Sequence, residues 1–133
     1  MITHKIELRV RYGETDQMGF CYYGNYAQYL EVGRVETLRK HGITYKELEE
    51  KGILLPVRNY SIKYVSPAKY DDLLIIQTEI KKLEGSRVVF SYQIHREEQL
   101  IATAETELVF VSSKTFKPIK MPDSFELLTD NLS

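Results

Sequence analysis

The chain has 133 residues, 43% of them hydrophobic and 28% charged, with 18 basic and 19 acidic residues for a formal net charge of -1. That length suits a single domain (1–133) with one core, and the near-neutral balance offers no basic footprint for a nucleic acid or an anionic membrane surface. The only cysteine, Cys21, excludes an intrachain disulfide and a cysteine-rich metal site.

The opening MITHKIELRV alternates charged and apolar residues and lacks the apolar run of a signal peptide. No later stretch is long and apolar enough to span a bilayer, so a cytoplasmic chain is expected. From His4 to Tyr12 the alternation is strict: Ile6, Leu8, Val10 and Tyr12 point one way, and Lys5, Glu7, Arg9 and Arg11 the other. That predicts a half-buried strand. The stretch GETDQMGFCYYGNY (Gly13 to Tyr26) follows as a loop dense in glycine and aromatic residues. Asn25 to Lys40 reads as a helix closed by Gly42. On it Tyr26, Tyr29, Leu30, Gly33 and Thr37 share one face. A mid-helix glycine costs about 1 kcal/mol against alanine, so Gly33 predicts a close approach to another backbone surface. Val32, Val35 and Leu38 lie off that stripe, which predicts cover on more than one face.

Thr44 to Lys51 predicts a second, short helix, with Thr44 and Glu47 at capping-box spacing and Gly52 closing it. After Pro56 come four strand-like runs, Val57 to Val65, Leu73 to Leu83, Arg87 to Arg96 and Leu100 to Ser112. The turns Glu84-Gly85-Ser86 and Glu97-Glu98-Gln99 are short enough for hairpins. Asp123 to Leu128 predicts a terminal helical turn. One long helix and an antiparallel sheet sharing a core make an α+β layer fold, with the sheet curling around the helix.

Chemistry concentrates before the long helix. A helix starting near Gly24 or Asn25 leaves its first N–H groups unpaired, which together with the macrodipole favours developing negative charge. Asp16 lies just upstream on a loop that Gly19 can bend back, and Gly24 can let a ligand approach the backbone. Phe20, Tyr22, Tyr23 and Tyr26 can wall an apolar pocket. A carboxylate facing such a helix end fits acyl transfer. On spacing alone, however, Asp16 as a turn-former and the tyrosines as core is the better reading.

The segment RVRYGETDQMGFCYYGNYAQYLEVGRVETLR resembles the acyl-CoA thioesterases of the hydroxybenzoyl-CoA thioesterase type and the related Tol-Pal-associated acyl-CoA thioesterases. The shared pattern falls on Tyr12, Glu14, Asp16, Gly19, Tyr23, Asn25 and Tyr26. A second similar block is YVSPAKYDDLLIIQT, from Tyr64 to Thr78. The resemblance implies a hotdog fold, a five-stranded antiparallel sheet wrapped around one long helix. It implies homodimers or homotetramers with the site at the subunit interface, an acyl-CoA substrate and no cofactor. It implies Asp16 as nucleophile or general base and the Tyr23 N–H as the donor that polarises the thioester carbonyl. Tyr12, Gly19, Phe20, Tyr22, Gly24, Asn25 and Tyr26 are then substrate-binding candidates. The Tol-Pal-associated branch usually has histidine at the position of Tyr23, so the tyrosine here argues against a histidine-assisted mechanism.

Other candidates carry simpler readings. Cys21 is expected to be buried or pocket-lining, because nothing orients His4, His41 or His95 toward it. The histidines show no metal-ligand spacing, so no metal is expected. Glu14 is expected as a solvated loop acid, Asn25 as a helix cap, Glu31 in a surface or interface ion pair, and Asp71 and Asp72 as shapers of a strand's start. Lys63, Lys69 and Arg87 are expected to be ordinary surface charges rather than phosphate ligands. Two further functional readings stay open: a non-catalytic acyl-thioester binding module, and a thioesterase acting on acyl carrier protein.

Overall fold

The computed structural model describes residues 1–132. Alternation in the first ten residues produces β1 (Ile2–Arg9), which buries Ile2, half-buries Ile6 and Leu8, and exposes Thr3, Lys5, Glu7 and Arg9. The strand stops short of Tyr12. The Arg11 N–H turns to the Glu14 carboxylate at 2.9 Å, which starts a 3-10 turn over Tyr12–Glu14. Tyr12 is therefore 79% exposed, packed edge-on against Tyr70, instead of lying on the strand's inner face.

α1 (Tyr26–Lys40) follows, led in by a 3-10 turn over Tyr23–Asn25. Next come α2 (Tyr45–Glu50), β2 (Ile53–Leu54), β3 (Val57–Tyr64), β4 (Leu73–Glu84), β5 (Arg87–Arg96), β6 (Gln99–Val109), β7 (Val111–Ser112) and α3 (Asp123–Glu126). The main sheet is five-stranded and antiparallel in the order β1-β4-β5-β6-β3. Its inner face carries Leu74, Ile76, Ile80, Val88, Phe90, Ile94, Ala102 and Leu108, all buried against α1 and its flanks. Leu100 to Ser112 is not one strand. The chain breaks at Phe110, and β7 leaves to pair with β2. Phe110 instead turns inward onto Phe125 of α3, with ring centroids 4.7 Å apart. The second helix has its expected cap, Thr44 Oγ1 accepting from the Glu47 N–H at 3.2 Å.

Gly33 explains how α1 sits. A Cβ there would lie 2.6 Å from Thr78 Oγ1 and 3.0 Å from Ile76 Cγ2, so only glycine lets the helix lie this close to β4. Leu38, off the predicted stripe, is fully buried. Val32 remains exposed, so α1 keeps an apolar position that its own chain does not cover.

Candidate active site

The loop between β1 and α1 is held by Glu14, and the solvated-acid expectation for it is wrong. Glu14 is 8% exposed. Its carboxylate accepts from the Arg11 N–H, from Arg11 Nη2 at 2.9 Å and from the Tyr29 hydroxyl at 2.8 Å. Its carbonyl accepts from the Tyr22 N–H and from Asn25 Nδ2, both at 2.8 Å. One residue thus ties the end of β1, the returning loop and the first turns of α1 together. Burial alone pushes the Glu14 carboxyl up, but the hydrogen bonds from Arg11 and Tyr29 outweigh it and the net shift is downward. Asn25 spends its amide on this bracket and makes no side-chain cap. A helix cap was the sequence expectation; Asn25 instead has helical φ and ψ of -78° and -20°, not the extended backbone of a capping residue, and its amide goes to the Glu14 carbonyl.

Asp16 stands just beyond the bracket. Its N–H donates to the Phe20 carbonyl at 2.9 Å, and its carbonyl accepts from the Gly19 N–H at 3.0 Å. Gly19 closes this turn at φ +83°, a conformation that disfavours a side chain. The Asp16 Oδ1 accepts from the Met18 N–H at 3.0 Å and the Phe20 N–H at 3.2 Å. Among the described residues Oδ2 has no hydrogen-bond partner. One carboxylate oxygen is anchored and the other is free.

Asp16 lines a cleft of about 280 Å³ together with Met18, Phe20, Cys21, Tyr23, Tyr26, Tyr64, Val65, Ser66 and Pro67. The cleft joins the loop, the start of the helix and the end of β3. Tyr26 packs edge-on against Tyr64 at 5.4 Å and forms part of the wall. At the helix start the first hydrogen bond runs from the Asn25 N–H to the Tyr22 carbonyl at 2.9 Å. The Tyr23 and Gly24 N–H groups come before it and are the leading donors of the helix end.

Of the expected site residues, the cleft gathers Asp16, Phe20, Tyr23 and Tyr26. Tyr12, Tyr22, Gly24 and Asn25 do not line it, and Gly19 shapes it from outside. Tyr22 packs against Tyr23 with the rings tilted at 48° and centroids 4.8 Å apart, and its ring would meet a Cβ on Gly24 at 2.9 Å. A side chain at Gly24 would thus run into the Tyr22 ring. Sequence reasoning missed Val65, Ser66 and Pro67 as wall residues. Their signal was the second block, YVSPA, taken there for a strand end. Cys21 is buried, its thiol 3.4 Å from the Tyr29 hydroxyl, and burial pushes its pKa up, which keeps it protonated and poorly nucleophilic. Asp72 orders the start of β4 by accepting from the Lys69 N–H at 2.8 Å and Arg96 Nη1 at 2.6 Å. Among the described residues no three His, Cys, Asp or Glu side chains converge on a point that could hold a metal. None of the helices there is long and apolar enough to cross a membrane.

With the fold and this cleft in place, comparison with known proteins is decisive at the family level. Residues 10–127 match the thioesterase-like superfamily, and the chain belongs to it. It is 36% identical over 118 residues to the acyl-CoA thioester hydrolase YbgC of Escherichia coli, covering 88% of each chain. It superposes on the DHNA-CoA thioesterase of Staphylococcus aureus with a TM-score of 0.91 at 33% identity, covering 100% of this chain and 97% of that one. It also superposes on the 4-hydroxybenzoyl CoA thioesterase of Pseudomonas sp. strain CBS-3, with a TM-score of 0.86 at 26% identity over 96% of this chain and 99% of that one. The fold is the hotdog fold, and the protein is a thioesterase, an enzyme that hydrolyses thioesters.

Proposed function

We propose that the chain hydrolyses acyl-CoA thioesters, with Asp16 supplying the attacking oxygen and the helix start at Tyr23 stabilising the carbonyl oxygen. The observation that carries this is the Asp16 carboxylate itself. Oδ1 is tethered by two amides, Oδ2 has no partner among the described residues, and Asp16 lines one cleft with Tyr23 at the start of the helix. In the first step a lone pair from Oδ2, or from a water that Oδ2 deprotonates, forms a bond to the thioester carbon. The carbonyl oxygen takes the negative charge beside the Tyr23 N–H. Collapse breaks the C–S bond, and the coenzyme A thiolate leaves and takes up a proton. If Oδ2 attacks directly, water then cleaves the mixed anhydride. Single turnover in ¹⁸O-water identifies direct attack when the anhydride is hydrolysed at the Asp16 carboxyl carbon, which leaves ¹⁸O in Asp16 and an Asp16 oxygen in the product, and hydroxylamine trapping of acylated Asp16 identifies it when water attacks the acyl carbon. Removing an oxyanion donor costs about 2.7–4 kcal/mol elsewhere, so the helix start is asked for a contribution of that order.

The protein acts as a homodimer or a higher homo-oligomer. Support comes from β3, which pairs with β6 on one side only and presents Val57, Tyr60 and Tyr64 exposed, and from Val32 on the neighbouring helix. A bare apolar strand edge is a template for another chain. Light scattering at micromolar concentration tests it, and a fully active monomer would end the reading. The enzymatic test is thiol release from a panel of acyl-CoAs alongside matched acyl carrier protein thioesters. Tight binding without turnover across the panel would leave a binding module. Faster turnover on the carrier protein would move the substrate there.

A further inference from the structure

Arg34 is a buried cation without a counter-charge. It is 7% exposed, yet among the described residues no Asp or Glu oxygen lies within 4.0 Å of it. Its Nε donates to the Tyr45 hydroxyl at 3.2 Å, and the Tyr92 hydroxyl also lies beside the guanidinium. Burying an ion costs several kcal/mol unless it is paired, so a lone buried guanidinium with unused N–H donors is a group waiting for an acceptor. Arg34 lines a second cleft of about 280 Å³ between α1 and β3, together with Gln28, Leu30, Glu31, Val57, Tyr60 and Thr106 among others.

This cleft is distinct from the one at Asp16 and shares no lining residue with it, but it lies between the same two elements. Both run along the seam between α1 and β3, the first using Tyr26 and Tyr64, the second Leu30, Arg34, Tyr60 and Val57. Tyr60 and Tyr64 are four residues apart on one strand, so the two sites are separated by roughly 13 Å. We infer that the Arg34 cleft receives an oxyanion at the far end of the substrate's acyl group, so that the enzyme's preferred thioesters carry a terminal carboxylate. The inference rests on the acyl-thioester reading above. Allowing about 3 Å for the contact between carboxylate and guanidinium, the remaining roughly 10 Å matches an acyl chain of roughly eight to ten carbons at about 1.25 Å per bond. The other candidate oxyanion, a coenzyme A phosphate, comes attached to a nucleotide too bulky for a cleft of this size with largely aliphatic and aromatic walls. Glu31 also lines this cleft, but it is exposed and screened by water, whereas the guanidinium is buried.

The experiment compares kcat/KM for ω-carboxy acyl-CoAs from succinyl to sebacyl with their methyl-terminated counterparts, on the wild type, Arg34→Gln and Arg34→Lys. Wild type should favour the carboxylate at a chain length near eight carbons, and Arg34→Gln should lower that ratio at least tenfold. Arg34→Lys should recover part of it, since lysine restores charge without the planar fork. An unchanged ratio in both variants overturns the inference while leaving thioester hydrolysis standing. So does an equal loss of affinity for free coenzyme A, which would assign the guanidinium to a phosphate. Dissociation of the oligomer at an unchanged ratio overturns it too, in favour of a carboxylate from a second copy. If Arg34→Gln does not fold, wild type alone decides: suberate must inhibit more strongly than octanoate, and equal inhibition refutes the inference. If wild type hydrolyses no thioester, the hydrolytic reading fails separately. Calorimetric binding of suberyl-CoA against octanoyl-CoA then tests the Arg34 cleft.

Discussion

Two polar regions of this molecule invite comparison, the loop before α1 and the outer face of the sheet. The outer face holds more charges and a larger depression, about 670 Å³, lined by Lys81, Lys82, Glu84, Arg87, Glu105 and Glu107 among others. Yet its charges answer one another: Lys81 meets Glu105 at 2.9 Å and Arg87 meets Glu107 at 3.3 Å, mostly in water. Such pairs are worth about 0–1 kcal/mol and leave nothing to act on a ligand. The loop has fewer charges. It buries one acid, Glu14, in a fully used set of hydrogen bonds, and two residues later it holds another, Asp16, by one oxygen only. Size and charge count do not make the site. Reactive capacity comes from a group held in place by neighbours that leave part of it unsatisfied.

Asp16→Asn should break the comparison most severely. Asparagine keeps the Oδ1 contacts to Met18 and Phe20 but is neither a useful base nor a useful nucleophile, so kcat should fall by about 10²–10⁴ with the dissociation constant for an acyl-CoA little changed. Glu105→Gln on the outer face should leave kcat within twofold. Tyr23→Phe should also be mild, because the proposed donor is a backbone N–H. If Asp16→Asn turned over normally while Glu31→Gln was inactive, the attacking acid would be on the helix.

Glu14→Gln comes next. It removes the charge that Arg11 and Tyr29 both serve and leaves their donors underused, at a cost of about 1.5–3 kcal/mol by denaturant unfolding. Because the loop places Asp16, kcat should also drop. A variant as stable and as active as wild type would make the bracket ornamental. The pH dependence follows from the same group. The folded Glu14 pKa lies below its ordinary value of 4.5, so its contribution is fully present above that value and is lost as pH falls through the folded pKa. The stability gap between wild type and Glu14→Gln should therefore narrow on acidification below pH 4.5, and a gap that stays constant would contradict the assignment.

Gly33→Ala tests how α1 is seated beneath the site. The added methyl would sit 2.6 Å from Thr78 Oγ1, and relief requires β4 or the helix to shift, costing about 1–3 kcal/mol despite alanine's better helix propensity. The smallest effect expected is from Lys81→Ala, within about 0.5 kcal/mol by thermal unfolding. A larger loss there would mean that the outer face is not merely solvated.

The strand alternation of Ile6, Leu8 and Val10, the mid-helix Gly33, the Thr44 cap and the two hairpin turns were all legible in the sequence, because each is a local pattern with a local cause. So was the position of Asp16 ahead of a helix start, although its weight came from the resemblance to thioesterases and not from spacing. Partners far along the chain were not legible. Glu14 reads as a loop acid until Tyr29 and Asn25 fold back onto it. Val65, Ser66 and Pro67 join Asp16 only because the end of β3 is laid beside α1. Arg34 reads as one more charge on a polar helix, and only burial against Tyr45 and Tyr92 leaves it without a counter-ion. The sequence by itself determined the elements and the chemical types before the helix, since propensity and periodicity act over a few residues. The tertiary structure decided which polar groups were satisfied and which were left free, since desolvation and long-range hydrogen bonding exist only once the sheet has closed on the helix.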